Sequence, residues 1–240
     1  MKILAADTST MSGSLALMED ESLVAEWTVK SAATHNRRLL KGIDFLIAEA
    51  GWTLNDIDGF AVAAGPGSFT GLRIGMTTMK VLAWTAGKLY AAVPTLDALA
   101  FPLSFSEHPV CTILDARKKE VYCAIYQPDH QGNLKPAMPW TALSPSALAD
   151  RIDREVIFCG DAWPLYKSQL KRKLGSLAVG APPLFHTIRA SSVGELARRR
   201  FAKGQSDDPA TSAPIYVRSS EAEIHYPHLA EQSSAEPQII

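Results

Sequence analysis

Two stretches of this chain read the same way. Ile3 to Ala6 is a short apolar run that ends at Asp7, followed by a polar turn to Ser12 and a second apolar run, Gly13 to Met18. Val110 to Leu114 is an apolar run that ends at Asp115, followed by the polar turn Ala116 to Glu120 and another apolar run, Val121 to Tyr126. The match is in pattern, not in letters. A duplicated strand-Asp-turn-strand hairpin, each copy later joined to helices, predicts an α/β chain of two related lobes facing one another. The 240 residues suffice for two lobes of about 100 residues each.

Periodicity and turn residues extend the reading. The first lobe, 1–103, carries strands near 2–6, 13–18, 22–29 and 59–64, a helix near 34–50 stopped by Gly51, and a helix near 68–86 stopped by Gly87. A short strand then leads to Pro94 and a helix near 95–103. Residues 104–109 read as a connector. The second lobe, 110–220, adds strands near 134–142 and 155–159 and helices near 145–153, 163–173 and 191–203, and the tail 221–240 is polar and loose.

The stretch Gly65-Pro66-Gly67-Ser68-Phe69-Thr70-Gly71-Leu72-Arg73-Ile74-Gly75 joins an apolar strand directly to a helix. Such a loop can aim N–H groups and a helix dipole at an anion, with Arg73 one turn in as a charge partner. It fits neither standard phosphate motif: Thr70 stands where the dinucleotide fingerprint needs glycine, and Gly71-Leu72-Arg73 replaces the Gly-Lys-Ser/Thr of the P-loop. The mechanical reading is equally open. Gly65 and Gly67 permit positive φ, Pro66 sets a turn, and Ser68 or Thr70 caps the helix. The same two readings apply to Asp7-Thr8-Ser9 and to Asp115 with Arg117, which are either ligand-holding groups or plain turn formers.

The helix after the loop carries a clearer signal. Leu72, Met76 and Met79 cover one side, and Ile74, Val81 and Trp84 much of another, so the helix is apolar all round. One side is then core and the other faces the second lobe or a partner. Gly71, Gly75 and Thr78 form a row of small residues that would let another helix come close. Phe45 falls opposite the core stripe of the 34–50 helix, in which Leu46 lies, and extends the same surface.

Other chemistry is disfavoured. The net charge of -1 argues against a chain that holds nucleic acid by itself. Cys111, Cys123 and Cys159 lie in apolar runs without zinc-site spacing, no histidine cluster resembles a metal site, and Gly67-Ser68-Phe69 is not a nucleophile elbow. The run from Met1 to Asp7 is too short for a signal-peptide core or a membrane span, which predicts a cytoplasmic protein.

These residues resemble the bacterial TsaB/YeaZ family of tRNA threonylcarbamoyladenosine biosynthesis proteins. Ile3 to Ser9 is similar to the family's opening, Gly65 to Gly75 to its signature loop and helix, and His35 with Leu39-Leu40 also fits. Asp115-Ala116-Arg117 with Glu120-Val121-Tyr122 resembles its second hairpin, and Pro214 to Arg218 with Glu221-Ala222 its closing segment. The resemblance implies the two-lobed actin/Hsp70/sugar-kinase-like fold. It implies a non-catalytic dimerisation or scaffold subunit that activates a TsaD-like catalytic subunit. That relative transfers a threonylcarbamoyl group to N6 of the adenosine beside the anticodon.

The resemblance further implies a TsaE-like ATPase as companion, a homodimer when alone, tRNA met only through the complex, and neither membrane nor DNA as partner. No cofactor is expected on this chain alone, with ATP or ADP placed at a complex interface. Contacts are expected at Phe45, Leu46, Gly71, Leu72, Gly75, Met76 and Met79. A vestigial ligand site is expected at Asp7, Thr8, Ser9, Gly65, Gly67, Ser68, Asp115 and Arg117, with no catalytic and no metal-binding residue. The chain lacks the relative's His-x-x-x-His, and Gly160-Asp161 stands where an adenosine loop would want paired glycines. The rival reading is an active ATPase or small-molecule kinase of the same fold, using Asp7 and Asp115 around a magnesium-nucleotide.

Overall fold

The structure, a computed structural model, describes residues 1–31, 34–129 and 131–217. The first unit runs β1 (Lys2–Asp7), β2 (Ser12–Glu19), β3 (Ser22–Lys30), α1 (His35–Glu49), β4 (Gly59–Gly65), α2 (Phe69–Ala86) and β5 (Leu89–Pro94). Its strands lie in the order β3-β2-β1-β4-β5; β1 pairs antiparallel with β2 and parallel with β4. Both faces of this sheet are covered, which is why β1 and β4 read as unbroken apolar runs rather than alternating ones.

After α3 (Thr95–Ala100) the unit repeats as β6 (Val110–Asp115), β7 (Val121–Pro128), β8 (Leu134–Leu143), α4 (Pro145–Ala149), β9 (Val156–Cys159), α5 (Trp163–Leu174) and β10 (Ala178–Gly180). The second sheet has the order β10-β9-β6-β7-β8, so the two sheets have one topology and the duplication covers the whole unit, not only its hairpin. Strand β10, parallel to β9, is the element the sequence left unread. Three residues are too few for any periodicity to register.

Side-chain alternation sorts the core into layers. Leu4, Ala6, Leu15 and Leu17 point to α1 and α2, whereas Ile3, Ala5, Ala16 and Met18 point to α3 and α6 (Ala190–Phe201). The second sheet repeats the division, with Val110, Leu114, Ala124 and Tyr126 turned to the same α3/α6 layer and Cys111, Ile113, Cys123 and Ile125 turned to α4 and α5. The molecule is therefore five layers, helix-sheet-helix-sheet-helix, with one helical layer shared.

Helix α6 belongs to that shared layer, although the sequential split assigns 110–220 to the second lobe; it packs on β1, β2, β4 and β5. Glu26 on β3 fixes its start: Oε1 accepts from the Ser191 N–H at 2.9 Å and its hydroxyl at 2.7 Å, while Oε2 pairs with Arg189. The chain then runs back along the first sheet. Asp207 N–H donates to the Tyr90 carbonyl at 2.8 Å and Ile215 N–H to the Ala64 carbonyl at 2.7 Å. Arg218, Glu221, Ala222 and the tail 221–240 lie outside the described residues.

Candidate functional site

Strand β1 delivers Asp7 to the top of the first sheet with its side chain fully buried. Its Oδ1 accepts from the Ser9 N–H at 3.0 Å and the Ser9 hydroxyl at 2.6 Å, and Oδ2 has no partner among the described residues. Burial pushes this carboxyl up to about 6 against the pull of the Ser9 bonds, and the charge of Asp161 on the other lobe adds to the rise. His35 braces the same turn from α1. Its Nε2 meets the Thr10 carbonyl at 2.8 Å and its Nδ1 the Arg38 guanidinium at 3.1 Å, an arrangement that suits the neutral ring with the proton on Nε2.

The glycine loop folds down onto this turn. Ser68 N–H donates to the Ser9 carbonyl at 2.7 Å, and the Thr8 hydroxyl donates to the Gly71 carbonyl at 2.8 Å. A Cβ on Gly67 would come within 2.5 Å of the Ser9 carbonyl oxygen, and one on Gly71 or Gly75 would collide with Thr8. Gly65 has φ 120°, and a side chain there would strike the Ile215 carbonyl. Ser68 caps α2 by accepting from the Gly71 N–H at 3.3 Å. The amides of Ser68, Gly71 and Leu72 are thus bonded inside the chain.

The loop's outer side is also covered. Phe69 stacks on Tyr216 with ring centroids 5.3 Å apart, and Arg73 lies 3.8 Å from the centre of the Phe69 ring while its Nε donates to the Tyr216 hydroxyl at 3.2 Å. Arg73 is bound to this aromatic pair and not poised over an anion. Nothing local in the sequence signals a contact between residues 143 apart.

The second hairpin closes on itself in the same manner. Asp115 Oδ1 accepts from the Arg117 N–H at 2.9 Å, and Oδ2 lies 3.2 Å from the Arg117 guanidinium. Arg117, Lys118 and Lys119 all have positive φ, at 63°, 51° and 63°. The Asp115 N–H donates to Asp161 Oδ1 at 3.0 Å, and Gly160 before it, φ 118°, packs against the Ile113 carbonyl. Gly160 is thus the counterpart of Gly65 at the end of the equivalent strand. Desolvation raises the Asp161 carboxyl, with the Asp115 charge adding and the Asp115 N–H bond opposing.

The expected contact residues separate sharply. Leu46, Gly71, Leu72, Gly75, Met76 and Met79 are buried in the chain's own core, and only Phe45 of that set is exposed, at 57%. The correction has a simple cause. The small-residue row on α2 lets Thr8 approach, so it faces inward with Leu72, Met76 and Met79. The opposite side of α2 remains open: Thr70, Thr77, Val81, Trp84 and Thr85 are exposed and Ile74 half-buried, with Trp84 66% and Val81 54% accessible. Arg73, exposed, and Lys80, half-buried, border this stripe beside Thr77 and Trp84, with Arg73 held to the Tyr216 hydroxyl and Lys80 to the Ser212 carbonyl. Thr85 returns its hydroxyl to the Val81 carbonyl at 2.8 Å and Thr78, at the stripe's edge, to that of Ile74 at 2.8 Å, so these threonines present methyl groups outward.

The family model for TsaD, tRNA N6-adenosine threonylcarbamoyltransferase, matches residues 29–226. The tRNA threonylcarbamoyladenosine biosynthesis protein TsaB of Bacillus subtilis is 31% identical over 232 residues, 94% of this chain and 98% of its own length. The chain belongs to the TsaB/YeaZ family. YeaZ from Pseudomonas aeruginosa superposes with a TM-score of 0.78 at 29% identity, covering 90% of this chain and 99% of that one. Component A of (R)-2-hydroxyglutaryl-CoA dehydratase from Acidaminococcus fermentans shares the fold at 12% identity, with a TM-score of 0.53 over 84% of this chain and 99% of that one. The fold of this TsaB/YeaZ chain is the two-lobed actin/Hsp70/sugar-kinase-like one. Among the described residues no helix is long and apolar enough to cross a membrane.

Proposed function

We propose that this chain is a non-catalytic subunit in the formation of N6-threonylcarbamoyladenosine on tRNA, and that it activates a TsaD-like catalytic subunit by docking it on the outer face of α2. The observation that carries this reading is the stripe of exposed apolar and threonine side chains from Thr70 to Thr85, with Val81 and Trp84 toward its C-terminal end. An open tryptophan beside a β-branched residue, with Arg73 at the rim, is the composition of an interface core.

The inward-packed glycine loop supports the non-catalytic part, because its Ser68 amide and Gly71 carbonyl bond to the Asp7 turn. In this reading the chain alone pairs with a second copy through the same stripe. It meets tRNA and a TsaE-like ATPase only within the complex, in the cytoplasm. The test is reconstitution: tRNA modification assayed with the chain alone, with a TsaD-like subunit alone, and with both plus the companion proteins. Activity that appears only with both supports the proposal, and modification by this chain without other proteins ends it. Calorimetry with Mg-ATP on the isolated chain separates the reading from the ATPase or kinase alternative, which requires binding.

A further inference from the structure

The chain from Gln205 to Val217 leaves the end of α6 and runs as a strap over the β5 edge of the first sheet and along the flank of α2. Asp207 ties its start: the N–H donates to the Tyr90 carbonyl at 2.8 Å, Oδ2 accepts from the Ala92 N–H at 2.8 Å, and Oδ1 pairs with Arg200 at 2.6 Å. In its middle the Ser212 carbonyl accepts from Lys80 Nζ at 2.7 Å. At its end the Ile215 N–H donates to the Ala64 carbonyl at 2.7 Å, and the Tyr216 hydroxyl accepts from Arg73 Nε at 3.2 Å beside the stacked Phe69 ring. Arg73 and Lys80 are the two charged residues of α2, and the strap holds both. We infer that the strap is a working part of the docking face: it keeps both cations of α2 on the flank, so that partner docking and strap closure are coupled. This rests on the docking reading given above.

Helical spacing puts both cations within reach of the stripe. Lys80 stands three residues after Thr77 and four before Trp84, and Arg73 three after Thr70 and four before Thr77. Side chains so spaced are neighbours on a helix surface. Released, either cation can lie across the stripe, and a partner closing over it must desolvate the charge or push it aside. Held, Lys80 is half-buried with its ammonium on a carbonyl, and the Arg73 guanidinium sits 3.8 Å from the centre of the Phe69 ring.

The two ends of the strap are unequally fixed. The start has three bonds to Asp207, one of them an ion pair, whereas the end has one backbone bond and a ring pair of which Tyr216 is 41% and Phe69 39% exposed. A segment with few buried contacts opens before the sheet it lies on, so the strap opens from Tyr216 and frees Arg73 first. A partner that binds the closed form better must, by reciprocity, hold the strap closed.

Association of the full chain with a TsaD-like subunit, followed by calorimetry, tests this in a cycle. Tyr216→Phe keeps the stack on Phe69 and removes the acceptor for Arg73, and Tyr216→Ala frees the end of the strap. The expected losses of affinity are about threefold and about tenfold, as for one hydrogen bond and for a charge brought into an interface. With Arg73→Met and Lys80→Met in place, Tyr216→Ala should change affinity by less than about twofold, because no cation is left to free. Saturating partner should slow amide exchange at Ile215 in the wild-type chain.

The same measurement on Val81→Glu with Trp84→Glu separates the two readings. Undiminished affinity there removes the docking face and this inference with it. A large loss there, with Tyr216→Ala binding as wild type does, overturns the strap alone. An equal loss from Tyr216→Ala in both backgrounds, or exchange at Ile215 indifferent to the partner, overturns it as well.

Discussion

Thr8 and Gly71 lock the first strand to the second helix: the Thr8 hydroxyl donates to the Gly71 carbonyl at 2.8 Å, and the Thr8 carbonyl occupies the space a side chain on Gly71 would need. The Thr8 hydroxyl takes the same position over Gly75, one turn later. The glycines of α2 are thus spacing devices for the turn after β1. They hold Asp7 in a dry environment and send the helix's remaining apolar side chains outward.

Gly75→Ala is therefore expected to destabilise the chain by about 1–3 kcal/mol, as overpacking against the buried Thr8 hydroxyl does. Thr8→Ala in the same chain should recover part of that loss, because it removes the hydroxyl that the new methyl strikes. Urea unfolding of the single and double variants measures both. Additive losses would mean that the two residues do not compete for one space.

The Asp7 carboxyl gives stability a pH dependence of defined sign. Its folded value is raised from 3.8 to about 6, so between these values the folded state binds the proton more tightly than the unfolded chain does. The associated stability is present in full below about 4 and is lost as pH rises through about 6, an effect on the order of 3 kcal/mol. Asp7→Asn should flatten this slope and be relatively more stable at pH 7.5 than at pH 4. Denaturant midpoints across that window decide it; a slope unchanged by the substitution would assign the titration elsewhere.

The segment ending in Tyr216 is expected to shield the glycine loop. Tyr216→Ala removes the ring stack on Phe69 and the Arg73 bond, a loss of about 1 kcal/mol. Amide exchange at Ile215, which donates to Ala64, should quicken while exchange in β1 and β4 stays slow. Uniform exchange across these segments would contradict a local role for the ring pair.

Much of this architecture was legible in the residues, for identifiable reasons. Asp7 and Asp115 end apolar runs followed by polar turns, and both hairpins formed. Gly51 and Gly87 adopt φ of 66° and 62° just past α1 and α2, at the stops expected of them. The direction of the α2 glycine row was not legible. A helical projection says that Gly71, Leu72 and Met76 share a side and that Ile74, Val81 and Trp84 share another. With both sides apolar, nothing in the projection says which meets the core. Thr8 decides it, from 63 residues away. The placement of α6 on the first sheet was hidden likewise, because its anchor Glu26 lies 165 residues from Ser191.

The most direct test of the account is association of the full chain with a TsaD-like subunit, measured for wild type and for Val81→Glu with Trp84→Glu. Both side chains are exposed, so the melting temperature should hold. The account predicts that affinity falls at least about a hundredfold, as loss of a central aromatic contact and a buried charge at an interface require, and that tRNA modification by the reconstituted proteins falls with it. Unchanged affinity in the doubly substituted chain would contradict the α2 stripe as the docking face.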